Sequence, residues 1–326
     1  MRQSLRVSAL VSALTLVASL MTGCGGDDSS GGGKGLEKSS IKVASLPLVD
    51  GAALHIAQKA KLFKEEGLDV KIVPVQQSIK ALPALKAGEV DVIAGANYVS
   101  FMQANEKGLI KLSILAEGAQ LTSNMMNVLV MPDSKIKTAK DLEGKKVAVN
   151  ILNNIQSLTL DAILKANNVD PKKVQYVQVP FPAMAPALQK GDVDAIHTVE
   201  PFLSDSEKKF GARVVVDGGS EPVTSLPISG YVTTQEFSQK YPKTAAAFQR
   251  AIIKAQKMAS QDRKKVEEVL PSYAKIDPQV ASVITLPAYP TSLSTTRMQR
   301  IAELMQTSGL LTQKPDLKTI LFHPTS

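Results

Sequence analysis

The chain has few of the side chains on which metal sites and nucleophilic catalysis usually depend. Its 326 residues include one cysteine, three histidines and no tryptophan. His55, His197 and His323 stand far apart in the sequence, without cysteine partners or the spacing of a metal site. No G-x-S-x-G, P-loop or G-x-G-x-x-G motif points to catalysis. We therefore expect a protein that is not an enzyme and that uses no metal or cofactor.

Long apolar runs are also scarce. The apolar run from Val7 to Met21 is shorter than the roughly 18 residues that a membrane span needs. Arg2 and Arg6 precede it, and small residues follow it at Thr22-Gly23. A positive start, a short apolar core and small residues at its end are typical of a secretory signal. Residues 1–23 are therefore predicted to be a signal peptide.

The single cysteine, Cys24, directly follows this segment and excludes an intramolecular disulfide. The sequence Leu20-Met21-Thr22-Gly23-Cys24 resembles the lipobox of bacterial lipoproteins, with methionine where leucine is more usual. We expect lipidation of Cys24, a flexible Gly/Ser/Asp-rich tether over residues 24–40 and a location on the outer face of the cytoplasmic membrane or in the periplasm. The alternative is an ordinary signal peptide followed by an unmodified cysteine.

Positive charge is in modest excess and is not concentrated. The chain has 38 Lys and Arg residues against 30 Asp and Glu residues, and 4% of its residues are aromatic. A nucleic-acid-binding protein would concentrate its basic residues in a stripe with interleaved aromatics. The sequence therefore gives no support for a nucleic-acid partner, and we expect a monomer.

Hydrophobic periodicity predicts alternating strands and helices. Strands are predicted at Ile41–Leu46, Leu68–Val75 and Asp91–Ala94, with helices at Ala52–Phe63 and Ser78–Ala87 between them. This order is typical of a parallel sheet. The same order follows at Lys146–Val149, Gln156–Ala166, Val174–Val179, Ala183–Gln189 and Asp194–Ile196.

A short repeat supports two related halves. The segment ALKAGEVD at 84–91 resembles ALQKGDVD at 187–194, an offset of about 103 residues. Each segment closes a predicted helix and leads into a predicted strand. The chain is therefore predicted to contain two similar α/β units.

Four motifs carry a resemblance to a known family. They are KLFKEEGLDV at 61–70, AGEVDV at 87–92, DLEGKKVAV at 141–149 and EPF at 200–202. In this order and spacing they resemble the NMT1/THI5-like solute-binding proteins, also called SsuA/TauA-like, which serve ABC importers of nitrate, sulfonates, taurine and thiamine precursors. The resemblance extends from about Ile41 to Leu311.

This resemblance implies an α/β, type II periplasmic-binding-protein fold with two lobes around a ligand cleft. Each lobe would be a mixed sheet flanked by helices. The first lobe would be residues 41–124 plus 226–326, and the second lobe residues 125–225. Extended crossovers are predicted at Asn124–Met131 and Leu226–Thr234, and an ABC permease is the implied partner.

Ligands of open α/β sheets bind beyond the carboxyl ends of the strands, which selects the loops that follow the strands. The candidate ligand-binding residues from these loops and from family position are Ser45, Leu48, Asp50, Asn97, Tyr98, Ser100, Thr122, Ser123, Asn124, Asn153, Asn154, Gln156, Ser157, Glu200, Phe202 and Tyr231. Ordinary capping or turn chemistry is the alternative role for each of them. The set includes no lysine or arginine, so a small organic or heterocyclic solute is expected rather than an inorganic anion.

Two other functions stay open. The same lobes could belong to an extracytoplasmic ligand sensor, which would share the cleft but not the permease. A pyrimidine-synthase-type enzyme of the same fold would need a cysteine-rich segment and histidine chemistry, and the one cysteine at position 24 argues against it.

Overall fold

The computed structural model describes residues 35–324, and the predicted signal peptide and Cys24 lie outside them. Within this range ten strands are present. They are β1 (Ser40–Ser45), β2 (Asp69–Pro74), β3 (Val92–Asn97), β4 (Leu112–Gln120), β5 (Met126–Val130), β6 (Lys146–Val149), β7 (Gln175–Gln178), β8 (Ala195–Val199), β9 (Arg213–Asp217) and β10 (Pro227–Thr234).

The same residues form fourteen α-helices. They are α1 (Ala52–Lys59), α2 (Leu62–Glu65), α3 (Leu82–Lys86), α4 (Tyr98–Glu106), α5 (Ile155–Ala166), α6 (Phe181–Lys190), α7 (Phe202–Phe210), α8 (Gln235–Lys240), α9 (Pro242–Gln261), α10 (Arg263–Glu267), α11 (Leu270–Ala274), α12 (Pro278–Val283), α13 (Thr295–Thr307) and α14 (Leu317–Ile320). Short 3₁₀ helices are present at Val49–Gly51, Ser78–Ala81, Ala139–Leu142 and Pro171–Lys173. No helix of the described range is both long and apolar enough to cross a bilayer.

The strands form two five-stranded mixed sheets, which confirms the predicted two-lobe α/β fold. The first sheet has the order β2-β1-β3-β10-β4, and the second has the order β7-β6-β8-β5-β9. In the first sheet β1 pairs in parallel with β2 and β3, while β10 is antiparallel to β3 and β4. In the second sheet β6 is parallel to β7 and β8, and β5 is antiparallel to β8 and β9. The chain passes between the sheets twice, after β4 and after β9.

The predicted elements agree with the observed ones except at their ends. The predicted helix over 52–63 is split into α1 and α2, because Lys61 has a left-handed φ of 61°. The segment predicted at 78–87 begins as a 3₁₀ turn before α3. Both predicted crossovers are extended, but they are full sheet strands, β5 and β10, rather than bare connections.

The repeated segments occupy equivalent places in the two lobes. Gly88 ends α3 with a φ of 71°, and Gly191 ends α6 with a φ of 76°, a conformation that glycine adopts without steric penalty. The carboxylate of Asp91 accepts the N–H of Lys42 at the start of β1, at 2.9 Å. The carboxylate of Asp194 accepts the N–H of Lys146 at the start of β6, at 2.8 Å. The repeat therefore encodes the same helix end and the same strand connection twice.

The C-terminal helices pack on the first lobe. Phe248 of α9 stacks on Phe63 with ring centroids 5.5 Å apart and meets Tyr231 edge-on at 5.8 Å. The side chain of Gln256 donates to the backbone carbonyls of Glu117 and Gly118 in β4. The long amphipathic helix α9 thus packs on the first sheet over strands β4 and β10.

The segment before β1 is also docked. The carboxylate of Glu37 accepts from the N–H groups of Lys243 and Thr244 at the start of α9. The ammonium of Lys38 lies 2.6 Å from Asp91. The predicted tether of residues 24–40 therefore overlaps, at its C-terminal end, a segment that contacts the folded body.

Candidate functional site

A small cavity with both polar and apolar lining residues lies between the facing edges of the two sheets. Its polar lining is Asp50, Ser78, Asn97 and Ser229 from the first lobe and Asn150, Asn154 and Gln156 from the second. Its remaining lining is Leu46, Leu48, Gly95 and Ile228 from the first lobe and Met126, Ile151, Ile155, Phe181 and Val199 from the second. Most of these residues stand at or just beyond the carboxyl ends of parallel strands, where open α/β sheets bind ligands. The cavity measures about 40 Å³, below the roughly 300–1,000 Å³ of ordinary ligand pockets.

Asp50 is the residue of this cavity whose pKa is shifted by its surroundings. It follows β1 in a 3₁₀ turn and is only 5% exposed. The Ser229 hydroxyl donates to its Oδ2. Burial raises the pKa of Asp50 above its ordinary value, while that hydroxyl and the nearby N–H groups of Asp50 and Gly51 oppose the rise. The carboxylate is thus held where desolvation strengthens its attraction for any donor.

Two distant tyrosines hold the turn that carries Asp50. The hydroxyl of Tyr273 donates to the carbonyl of Leu48 at 3.0 Å, and the hydroxyl of Tyr289 donates to the carbonyl of Val49 at 2.9 Å. Both tyrosines come from the C-terminal segment that packs on the first lobe. The same carbonyls also accept the N–H groups of Gly51 and Ala52 within the turn, so the tyrosine hydroxyls add a second donor to each carbonyl and fix the backbone of the turn.

A second network holds the loop after β6. The side-chain oxygen of Gln156 accepts the N–H of Asn150 at 2.8 Å, and its amide nitrogen donates to the carbonyl of His197 in β8. Asn154 caps α5 by accepting the N–H groups of Gln156 and Ser157. Gln156 and Asn154 therefore line the cavity while their hydrogen-bonding groups are largely used within the protein.

Hydrogen bonds join the two lobes around the cavity. The amide nitrogen of Gln77 donates to the carbonyl of Asn150 at 2.6 Å, and that of Gln103 donates to the carbonyl of Asn153 at 2.8 Å. On the opposite side, the N–H of Val49 donates to the carbonyl of Glu200 at 3.3 Å. The lobes are therefore in contact on both sides, and the conformation is closed.

Glu200 also joins the lobes through its side chain. Its Oε1 accepts the N–H of Thr285 from the first lobe at 3.0 Å and the hydroxyl of Ser204 from its own lobe at 2.7 Å. Glu200 is 1% exposed, and burial raises its pKa above the ordinary value. The carboxylate therefore serves as an interlobe acceptor.

Replacement of Glu200 with alanine is expected to open the unliganded protein, because the Thr285 N–H is then buried without an acceptor whenever the lobes are closed. Small-angle scattering should show a larger radius of gyration for Glu200→Ala than for the wild type. Glu200→Gln keeps an oxygen for this bond and should stay compact. Glu207→Ala removes a neighbouring carboxylate that makes no hydrogen bond to a described residue, and it serves as the control. An unchanged radius for Glu200→Ala would contradict the role of this bond.

The structure brings some of the predicted ligand-binding residues together. Leu48, Asp50, Asn97, Asn154 and Gln156 line the cavity. Three further predicted residues, Ser45, Ser157 and Glu200, are buried beside the lining. Ser45 donates to the carbonyl of the lining residue Leu46, Ser157 accepts the N–H of Asn154, and Glu200 directly follows the lining residue Val199. Asn97 also caps α4, as its position before that helix predicts.

The predicted aromatic residues lie elsewhere. Tyr98 and Tyr231 are 0% exposed and pack in the core of the first lobe, so neither provides a ring in the cavity. Phe202 stacks on Phe181 with ring centroids 5.9 Å apart, and it is Phe181 that reaches the lining. Tyr98 directly follows the end of β3 and Tyr231 lies within β10. Both side chains point into the core and not into the cleft.

The remaining predicted residues hold loops. The carboxylate of Asp217 accepts the Ser123 hydroxyl at 2.5 Å and the Asn124 N–H at 2.8 Å, while Thr122 donates to the Leu286 carbonyl. These three residues therefore fix the first connection between the sheets. Asn153 has a φ of 54° and offers its carbonyl to Gln103, and Ser100 lies on the surface of α4.

Sequence reasoning missed several lining residues. Ser78, Gly95, Asn150 and Ser229 all line the cavity. Asn150 directly follows the predicted strand that ends at Val149, so the rule that selected the other loops would have found it. Gly95 lies inside β3 with a φ of 67°, and a Cβ there would stand 3.6 Å from Oδ2 of Asp50. Ser78 opens the helix predicted after the strand at Leu68–Val75, so the same rule would have found it too. No local pattern marks Ser229, which reaches the cavity through the pairing of β10 with β3.

His197, the histidine that sequence places nearest the cleft, is a core residue. It is 0% exposed, and burial lowers its pKa to about 4. Neither ring nitrogen has a hydrogen-bond partner in the described residues. The imidazole is therefore neutral and separate from any acid that would orient it for catalysis.

Known proteins resemble the chain in both sequence and fold. A Bacillus subtilis protein provisionally named as an aliphatic sulfonates-binding protein is 28% identical over 74% of this chain and 71% of its own length. The taurine-binding periplasmic protein of Escherichia coli is 27% identical over 62% and 61%. The alkanesulfonate-binding protein SsuA of Xanthomonas axonopodis pv. citri has the same fold, with a TM-score of 0.75 at 18% identity over 88% of this chain and 99% of its own. Residues 50–265 match the family described as NMT1/THI5 like. The chain therefore belongs to the NMT1/THI5-like family.

Proposed function

We propose that the chain is an extracytoplasmic solute-binding protein that captures a small organic molecule between its lobes and delivers it to an ABC permease. The observation that carries this proposal is the cavity between the two sheets, to which both sheets contribute strand ends. Family membership supports it, because the relatives named above are described as binding proteins for sulfonates and taurine. The lobes would divide at the boundaries predicted from sequence, residues 124/125 and 225/226.

Capture would proceed by closure of the lobes. A cavity of about 40 Å³ is far smaller than the roughly 300–1,000 Å³ of ordinary ligand pockets. A solute of ordinary size would therefore enter an open form, and the interlobe bonds from Gln77, Gln103 and Glu200 would form around it. The permease would then distinguish the closed form from the open one.

The anchor and the ligand class belong to the same proposal. Lipidation of Cys24 would hold the protein at the membrane surface, and the protein would act there as a monomer. An organic or heterocyclic solute fits the lining better than an inorganic anion, because the described lining has no lysine or arginine to neutralise an anion.

A thermal-shift screen of the purified protein tests this function. A solute that binds only the folded state, at 100 times its dissociation constant, should add about 2.7 kcal/mol to the free energy of unfolding. The solutes are thiamine-pyrimidine precursors, flavins, taurine, alkanesulfonates, nitrate and aromatic carboxylates. The expected result is stabilisation by at least one organic solute.

A pair of neighbouring variants shows whether binding occurs in the cavity. Ile151→Trp places a large ring in the lining without removing a side-chain hydrogen bond, and it should abolish the stabilisation. Leu152→Trp changes the adjacent residue, which is 44% exposed, and it should leave the stabilisation intact. Equal responses of the two variants would place the binding elsewhere, and no stabilisation by any solute would argue against a solute-binding function.

A further inference from the structure

The electrostatic character of the cavity is set by one residue. Among the described residues that line it, Asp50 alone has an ionisable side chain. The other polar groups are the hydroxyls of Ser78 and Ser229 and neutral amides from both lobes. The cavity therefore presents one acid and no basic group to a bound molecule.

Only one of the two carboxylate oxygens of Asp50 is satisfied. Oδ2 accepts the hydroxyl of Ser229, while Oδ1 is buried and has no hydrogen-bond partner in the described residues. A buried polar atom without a partner is unfavourable by about 1–3 kcal/mol, and by more when it is charged. Among the buried polar atoms of the described residues that have no hydrogen-bond partner, Oδ1 of Asp50 is the one that belongs to a residue lining the cavity.

The groups around Asp50 do not supply the missing donor. The hydroxyls of Tyr273 and Tyr289 are directed to the backbone carbonyls of Leu48 and Val49. The N–H groups of Asp50 and Gly51 lie near the carboxylate and lower its pKa, but neither forms a hydrogen bond to Oδ1, and the N–H of Gly51 donates to the carbonyl of Leu48. The hydroxyl of Tyr231 makes no hydrogen bond to the described residues. No lysine or arginine is among the groups that shift the pKa of Asp50.

The neutral side-chain amides of Asn97 and Asn150 add hydrogen-bond donors to the cavity lining. The side-chain oxygen of Asn97 accepts the Ser100 N–H, which leaves its NH₂ group for other partners. The backbone carbonyl of Asn150 accepts the Gln77 side chain, and its own NH₂ group makes no hydrogen bond to the described residues. Acceptors on a solute could meet these donors, while Oδ1 of Asp50 meets a donor on the same solute.

We propose that the solute carries a protonated nitrogen whose N–H group donates to Oδ1 of Asp50. This inference rests on the proposed solute-binding function of the cleft and names the class of molecule that the cleft selects. The chemistry is that of an amidinium, a guanidinium or an organic ammonium. A charge-assisted bond of this kind satisfies the buried oxygen and removes its net charge from the closed cavity.

The test compares cations with neutral molecules of nearly the same shape. The pairs are benzamidine with benzamide, methylguanidinium with methylurea, and 2-hydroxyethylammonium with ethylene glycol, measured by thermal shift and isothermal titration calorimetry on the purified protein. At least one cation should bind about tenfold or more tightly than its neutral partner, the size expected for a hydrogen bond to a charged group. Asp50→Asn should reduce this preference to less than about twofold.

A matched acid outside the cavity provides the control. Asp161 is a partly buried acid of the second lobe that accepts the hydroxyl of Tyr176 at 2.5 Å. Asp161→Asn should keep the preference for the cation.

The outcomes separate this inference from the function on which it rests. Neutral or anionic solutes that bind as tightly as the cations, or a preference that persists in Asp50→Asn, would overturn the inference and leave the solute-binding function standing. No binding of any solute, in these pairs or in the wider screen, would overturn both.

Discussion

Replacing Arg297 with methionine is expected to lower the free energy of unfolding by about 3 kcal/mol, because it leaves a buried carboxylate without its counter-ion. Arg297 in α13 binds both carboxylate oxygens of Glu117 in β4 at 2.9 Å. The side chain of Glu117 is 0% exposed and that of Arg297 is 32% exposed. The expected loss of stability is at the low end of the range for buried pairs, because water can partly enter the space that the Arg297 side chain leaves.

A second variant removes the charge instead of its partner. In Arg297→Met/Glu117→Gln the amide oxygen can still accept the N–H of Ser294, a bond of 2.8 Å in the wild type. No buried charge is then left, so the double variant should regain much of the stability that Arg297→Met loses. Urea unfolding of the wild type and both variants measures the difference.

An ion pair formed by α9, with both side chains more exposed than Glu117, is the control for this prediction. Arg250 of α9 binds Glu66 at 2.7 Å, and its side chain is 55% exposed. Arg250→Met should change stability by no more than about 1 kcal/mol. If Arg297→Met and Arg250→Met had equal effects, or if the double variant were as unstable as Arg297→Met, the attribution to a buried uncompensated charge would be wrong.

The alternation of strands and helices could be predicted because it depends on local patterns. Apolar spacing identified β1, β2 and β6 within one or two residues, and Gly88 and Gly191 marked equivalent helix ends. The predicted split of the chain between two sheets follows from the repeat, since each copy has the same order of elements. Such features require only interactions between residues close in sequence.

The residues that position the site could not be predicted in this way. Tyr273 and Tyr289 lie more than 220 residues from the turn that they hold. Ser229 reaches Asp50 only because β10 returns from the second lobe and pairs with β3. No local pattern encodes this return, so the partner of the cavity carboxylate became visible only in the fold.

The core position of Tyr98, which the sequence predicted to line the cleft, has a physical reason. Tyr98 begins a helix after a strand end, as a ligand-binding residue would, yet its ring packs against Gly230 in β10. A Cβ at Gly230 would stand 2.1 Å from the tyrosine hydroxyl, so the absence of a side chain there makes room for the ring. The available volume in the core, and not the position in the loop, decides where this side chain lies.

Gln156 is the residue of the second lobe on which the cavity depends most. Replacement by methionine is expected to lower the free energy of unfolding by roughly 2–4 kcal/mol, because the Asn150 N–H and the His197 carbonyl each lose a buried partner. The loop from Asn150 would also lose the bond that fixes it, so solute affinity should fall in the fraction that stays folded. Urea unfolding and calorimetry with a solute found in the screen measure the two effects separately.

Replacing only the NH₂ group of the Gln156 side chain with an oxygen tests the bond to the His197 carbonyl separately. Gln156→Glu keeps an acceptor for the Asn150 N–H but turns an oxygen toward the His197 carbonyl, and it should be at least as destabilising as Gln156→Met. Gln178→Met changes an exposed residue of β7 in the same lobe and should stay within about 0.5 kcal/mol of the wild type. Loss of stability without loss of affinity would show that Gln156 supports the second lobe but does not shape the cavity. Loss of both stability and affinity would show that solute capture requires an ordered loop after β6. Capture would then depend on this loop in the second lobe and on the carboxylate of Asp50 in the first.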